Sequence, residues 1–188
     1  MGGSFSLSAS EFAKLTDVDT TGQIDGDIYA FDSASGTYKR ARANAQDGKT
    51  SLGLWAFNTY STGSNVAVLG SYAAGNTSTS IDMTAIGANA MRNNEGGHHT
   101  TAVGSAALYN NHFPHYCVAI GSGAMNSSTA SFCVAVGASA LRNTQGDNNT
   151  AAGYEALLSN VLGVGNTAVG YSALRLNLDA GGNTAVGL

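Results

Sequence analysis

Asn166-Thr167-Ala168-Val169-Gly170-Tyr171-Ser172-Ala173-Leu174 is followed 17 residues later by Asn183-Thr184-Ala185-Val186-Gly187. Traced toward the N-terminus, the same apolar phrase surrounds Gly153, Gly137, Gly121, Gly104, Gly87, Gly70 and Gly53, so nine glycines recur every 16 or 17 residues. Three residues after the glycine stands an alanine in all eight complete copies: Ala56, Ala73, Ala90, Ala107, Ala124, Ala140, Ala156 and Ala173. A period this strict marks one small structural unit stacked on itself.

Set in register, the copies form columns. The residue before the glycine is Leu52, Leu69, Ile86, Val103, Ile120, Val136, Ala152, Val169 and Val186, a column expected to be buried. Two before it runs an alanine column from Ala85 to Ala185, and four after it stand Phe57, Ala74, Met91, Leu108, Met125, Leu141, Leu157 and Leu174. Between apolar phrases lie polar stretches such as Arg142-Asn143-Thr144-Gln145-Gly146-Asp147-Asn148-Asn149, rich in turn formers. Each repeat therefore reads as a short strand, a bend at the glycine, a second short strand and a polar return.

A helical-hairpin repeat needs more than about 30 residues, and Thr-Ala-Val-Gly has no helical period. The expected fold is all-β, a solenoid or β-roll of about nine 16–17-residue rungs. At about 4.8 Å per rung it forms a rod roughly 40 Å long. Apolar positions fill only about half of each repeat, so one coil is expected to leave an apolar strip facing water, larger than soluble monomers ordinarily expose. Further copies of the chain are expected to cover it, as a homotrimer about a threefold axis, although the columns alone do not separate three chains from two. The expected trimer core is Leu52, Ile86, Val103, Ile120, Val136, Val169 and Val186 together with Leu108, Leu141, Leu157 and Leu174. The glycine and alanine columns are then read as places of close backbone approach.

The phrases around Gly170 and Gly187 resemble the repeats of bacteriophage tail-fibre and other virion fibre proteins and, more distantly, the head repeats of trimeric autotransporter adhesins. The resemblance spans about residues 50–188 and implies a trimeric β-solenoid or β-roll rod. Val66-Ala67-Val68-Leu69-Gly70 and Ile81-Asp82-Met83 depart from the pattern, so irregular rungs are expected there.

The first 45 residues differ in kind. Ile28 to Asp32 and Thr37 to Ala41 read as two strands joined by Ser33-Ala34-Ser35-Gly36, a hairpin signal. With Leu15-Thr16-Asp17-Val18-Asp19 and Gly26-Asp27, this segment also resembles a module of phage tail fibres. The expected organisation is a flexible or virion-docking terminus over 1–10, an N-terminal β module for virion attachment over 11–45, and the repetitive solenoid over 46–188.

Only 11% of the residues are charged and there is 1 proline, unlike a disordered chain. A net charge of −4 without a basic cluster argues against nucleic-acid binding. No apolar stretch is long enough to insert in a membrane, and the absence of a secretory-signal pattern leads to the expectation of assembly in a host cytoplasm rather than secretion. Cys117 and Cys133 share a column on adjacent rungs and are expected to be buried free thiols, although stacking would allow a disulfide. Asn149, Asn166 and Asn183 continue that column, predicting an asparagine ladder.

His98, His99, His112 and His115 fall in adjacent returns and are expected at the surface rather than on metal. Asp17, Asp19 and Thr21 imitate the start of a calcium loop, but its twelfth position is Ile28, so no calcium is expected. No catalytic set, phosphate loop or cofactor motif is found, so no enzyme is expected. The most aromatic return, Tyr109 to Tyr116, supplies the candidate receptor contacts Tyr109, Asn111, His112, Phe113, His115 and Tyr116, suited to a host-surface glycan or protein.

The expected function is a non-enzymatic structural fibre on a phage particle, a tail fibre that projects host-contacting loops. Its partners would be its own copies, other virion proteins through the N-terminal module, and the host surface. Two alternatives stand beside it: a head fibre or capsid-decoration trimer, and a fragment of a bacterial trimeric adhesin.

Overall fold

A computed structural model describes residues 28–32, 37–41, 49–52, 56, 64–77 and 79–188. The expected docking terminus and the Asp17–Asp19–Thr21 segment lie outside them. Among the described residues the protein is all-β. Strands β1 (Ile28–Asp32) and β2 (Thr37–Ala41) pair antiparallel, Ile28 opposite Ala41 and Asp32 opposite Thr37.

The remaining strands are β3 (Lys49–Leu52), β4 (Val66–Leu69), β5 (Ile81–Ile86), β6 (His98–Val103), β7 (Val118–Ile120), β8 (Val134–Val136), β9 (Thr150–Ala152), β10 (Thr167–Val169) and β11 (Thr184–Val186). They form one parallel sheet of nine strands in strict chain order, each pairing with the next at the same position of the repeat. Sequential parallel neighbours repeating every 16 or 17 residues describe a β-solenoid. The two sequence departures stay in this register: Leu69 lies opposite Ile86, and Met83 opposite Thr100.

The bend that closes each rung begins at the repeat glycine, whose φ is between +121° and +141° from Gly70 to Gly187. The alanine three residues later donates its N–H back to the glycine carbonyl, as Ala107 does to Gly104 at 3.3 Å. The residues two and four after the glycine are left-handed even when they are not glycine, as at Ser139 (φ 58°) and Leu141 (φ 50°). Bonds between rungs hold this unfavourable backbone in place. The Ser139 N–H bonds to the carbonyl of Ser122 in the rung before it at 3.0 Å, and the Leu141 N–H to that of Ala156 in the rung after it, also at 3.0 Å. Each coil is thus bonded in both directions through its bend as well as its strand.

The interior closes within one chain. The single inward residue of each short strand is alanine, as in Val134-Ala135-Val136, where only Ala135 is buried. Facing it are both residues three and four after the glycine: Ala140 and Leu141, like Ala156 and Leu157, are wholly buried. The expected trimer core is corrected here. Leu108, Leu141 and Leu157 fill the inside of a single coil and are not left for a neighbouring molecule, and Leu174, partly buried, packs against that same core. The third wall is polar, Asn94, Asn111, Ser128, Thr144 and Asn160, one residue per rung and each fully buried, where the composition pointed to an outward return. Asparagine side chains along this wall bond inward peptide groups. The Asn94 side-chain oxygen accepts from the Gly97 N–H at 2.9 Å, and the Asn160 amide donates to the Gly163 carbonyl at 2.7 Å.

Candidate functional site

With the interior self-contained, what is left over is on the outside of the sheet. From β4 to β11 the residue before the glycine points away from the coil. Leu69, Ile86, Ile120, Val136 and Val169 are between 38% and 47% exposed, Val186 is 79% exposed, and Val103 is half-buried. The residues three before the glycine share this face: Ala67, Thr84, Thr101, Val118, Val134, Thr150, Thr167 and Thr184. Neither column carries a charge from β4 to β11. The aliphatic column expected at the trimer core is therefore an exposed strip on the single chain; the side chain of Leu52 lies outside the described residues.

Beside this face, five residues before the glycine, runs a column in left-handed conformation: Asn65, Asp82, His99, Tyr116, Phe132 and Asn148. Asn65 donates to Asp82 at 2.8 Å, and Asp82 meets the His99 Nδ1 at 3.1 Å. The His99 and Tyr116 rings stack at 4.8 Å and 14°, and Tyr116 and Phe132 at 5.4 Å and 10°. Tyr116 is thus stacked on both faces and Phe132 on one.

The six candidate receptor residues do not converge. Asn111 is the clearest correction: it is wholly buried in the polar wall, and neither polar atom of its side chain has a partner. The cause is local. Its counterpart Asn94 receives the N–H three residues on, but three residues after Asn111 is Pro114, which has none. The Pro114 carbonyl is already taken by the His98 N–H and the Thr100 hydroxyl, each at 3.1 Å. Tyr109 accepts from Arg92 at 3.4 Å, and His112 meets Glu95 at 3.0 Å. Phe113 covers Gly96, where an added Cβ would lie 3.0 Å from its ring. His115 packs against His98 with ring centroids 5.2 Å apart, and Tyr116 lies in the stacked column.

Among the described residues no group of three metal-ligating side chains gathers, and no helix is long and apolar enough to cross a membrane. Cys117 and Cys133 are buried free thiols. Desolvation pushes the Cys117 thiol up to about 11 and the Cys133 thiol up to about 12, so both stay protonated near neutrality. Cys117 Sγ donates to the Ala130 carbonyl at 3.4 Å, and Cys133 Sγ receives the Asn149 N–H at 3.5 Å.

The asparagine ladder works chiefly through the backbone. Asn149 Oδ1 accepts the Asn166 N–H at 2.8 Å, and Asn166 Oδ1 accepts the Asn183 N–H at 2.9 Å. Side-chain to side-chain steps occur from Asn183 to Asn166 at 3.0 Å and, on the outer surface, along Asn76, Asn93 and Asn110 at 2.8 and 2.6 Å. The aliphatic column was legible in the sequence as a column, but its outward placement was not, and neither was the left-handed column beside it, although its asparagines, and Gly165 and Gly182 at the same position, were the available signal. Compared with protein-family models, curated proteins and solved structures, the chain finds no match.

Proposed function

We propose that the chain is a non-enzymatic structural fibre of a phage particle, a rod of about nine rungs that associates as a homotrimer through the outer face of its parallel sheet. The observation that supports it is the face itself: a coil complete inside one chain nevertheless keeps an uncharged aliphatic strip exposed on its outside. Three such strips brought together about an axis would remove that surface from water. The resemblance of the phrase around Gly170 to virion fibre repeats supplies the setting. In it, the rod works by geometry, holding its returns away from the particle for contact with a host-surface glycan or protein, while the N-terminal segment docks to other virion proteins.

Localisation in a purified particle tests the setting. Density or antibody label on the tail is the expected result; label on the shell would favour the head-fibre or capsid-decoration reading. A gene whose product is anchored in a bacterial envelope would overturn both in favour of an adhesin.

A further inference from the structure

We infer that the association face is locked at β7 and β8, where an aromatic wing and two aliphatic columns of one copy seat against further copies of this chain. The inference rests on the trimer reading. Only in these two rungs are all three outward positions apolar: Tyr116, Val118 and Ile120 in one, and Phe132, Val134 and Val136 in the other. The next rung carries Asn148, Thr150 and Ala152 at the same places.

Backbone conformation gives an independent reason. The wing position is left-handed, with φ of 54° at Tyr116 and 57° at Phe132. Asparagine and glycine tolerate that region, and Asn65, Asn148, Gly165 and Gly182 occupy the position in other rungs; a bulky aromatic there is an outlier. Two consecutive rungs accept the less favourable residue and leave its ring more than half exposed, Tyr116 at 55% and Phe132 at 53%. Inter-rung bonds hold the backbone there, Tyr116 N–H to the His98 carbonyl at 3.0 Å and Phe132 N–H to the His115 carbonyl at 2.8 Å, but they call for no aromatic side chain, and the exposed rings extend the apolar face.

The occupant is argued from size, spacing and charge. From the wing to the aliphatic column is about 13 Å, and nine strands give a length of about 43 Å, so the face covers roughly 550 Å² before flanking side chains are counted. That is of the order of the ~800 Å² that each partner contributes to a stable complex. A partner meeting rung after rung in the same way needs the same period, which this chain possesses. The strand positions of the face hold no charge that would repel an identical face, and the Asp82 carboxylate at its edge already meets Asn65 and His99. A sugar is a poorer occupant at Tyr116, because both faces of that ring are already stacked, by His99 and by Phe132.

The test converts β8 into β9: Phe132→Asn, Val134→Thr and Val136→Ala in the full chain, with Val169→Ala as the peripheral comparison. Sedimentation equilibrium over a range of concentrations reads assembly, and circular dichroism with thermal melting reads the coil. The triple variant is expected to lose at least 100-fold in association, against less than fivefold for Val169→Ala, while the coil spectrum is retained. Phe132→Asn alone is expected to melt no lower as a monomer, since it relieves the left-handed position. Should the triple variant misfold, Tyr116→Asn with Val118→Thr in β7 serves in its place with the same expectation. Assembly unchanged from wild type would overturn the lock and assign the wing to a partner other than this chain. A wild-type chain that stays monomeric throughout would overturn the trimer reading, and the lock with it.

Discussion

Gly104 has φ +137°, and a Cβ placed on it would lie 2.5 Å from the carbonyl oxygen of Gly121 and 2.6 Å from its carbon. Both contacts are with backbone, which has no rotamer by which to yield. Gly104→Ala is therefore expected to destabilise the coil by at least about 2–3 kcal/mol, read from urea denaturation. Ser139→Gly is the matched opposite: φ is 58°, and Gly123 already holds that place in another rung, so a change between zero and about 1 kcal/mol of stabilisation is expected. The glycines were legible in the sequence for the reason that makes them irreplaceable, since every rung sets its neighbour's peptide against the same Cα. The buried thiols give a pH dependence whose sign follows from their raised values. An unfolded thiol ionises near pH ~8.5, whereas Cys117 and Cys133 hold their protons to about 11 and about 12. Their contribution is therefore fully present below the unfolded value and is lost as the pH rises through it toward the folded ones. Stability is expected to fall between pH ~9 and ~11, and replacing both cysteines by alanine is expected to flatten that limb.

At the scale of the rung, the left-handed residues decide which side chains go inside. In the strand, inside and outside alternate, so the alanine before Val136 is buried and Val136 is not. Past the glycine that alternation fails, and Ala140 and Leu141 both point inward. A reading by column character alone has no means of separating the two large apolar columns, because both are aliphatic; the conformation at the bend sends one into the coil and leaves the other outside. The polar wall was hidden for a related reason: asparagine and threonine in a return look like solvent-facing turn residues, whereas here they are buried and most of them bond the backbone or one another. This wall yields a comparison between two positions of one column. Asn160 donates to the Gly163 carbonyl and receives the Asn177 amide at 2.8 Å, whereas Asn111 has no partner for either polar atom. Asn160→Val is expected to cost about 2–4 kcal/mol, since it strands buried groups, and Asn111→Val to be neutral or stabilising by about 1 kcal/mol. Equal losses in chemical denaturation would show that Asn111 is bonded after all.

Across the whole molecule, two requirements are met by different columns. Folding of one chain is served by alanine, leucine and methionine inside and by the inter-rung backbone bonds; association would be served by the aliphatic strip outside. Because the two sets share no residue, assembly can be removed without touching the coil, and Val169 is the position that shows it. Val169 is 39% exposed on the single chain, so an aspartate there remains hydrated and the monomer is expected to keep its strand signal and melting profile. In a trimer the same substitution would bring three carboxylates toward one axis and desolvate them, which burial energetics do not allow for unpaired charges. Val169→Asp is accordingly expected to sediment as a folded monomer at neutral pH. Acid supplies the control: below pH ~4 the carboxyls take up protons, the penalty falls to that of a neutral polar group, and association is expected to return in part. A trimer that survives the substitution at pH 7 would place the contact on some other face of the rod.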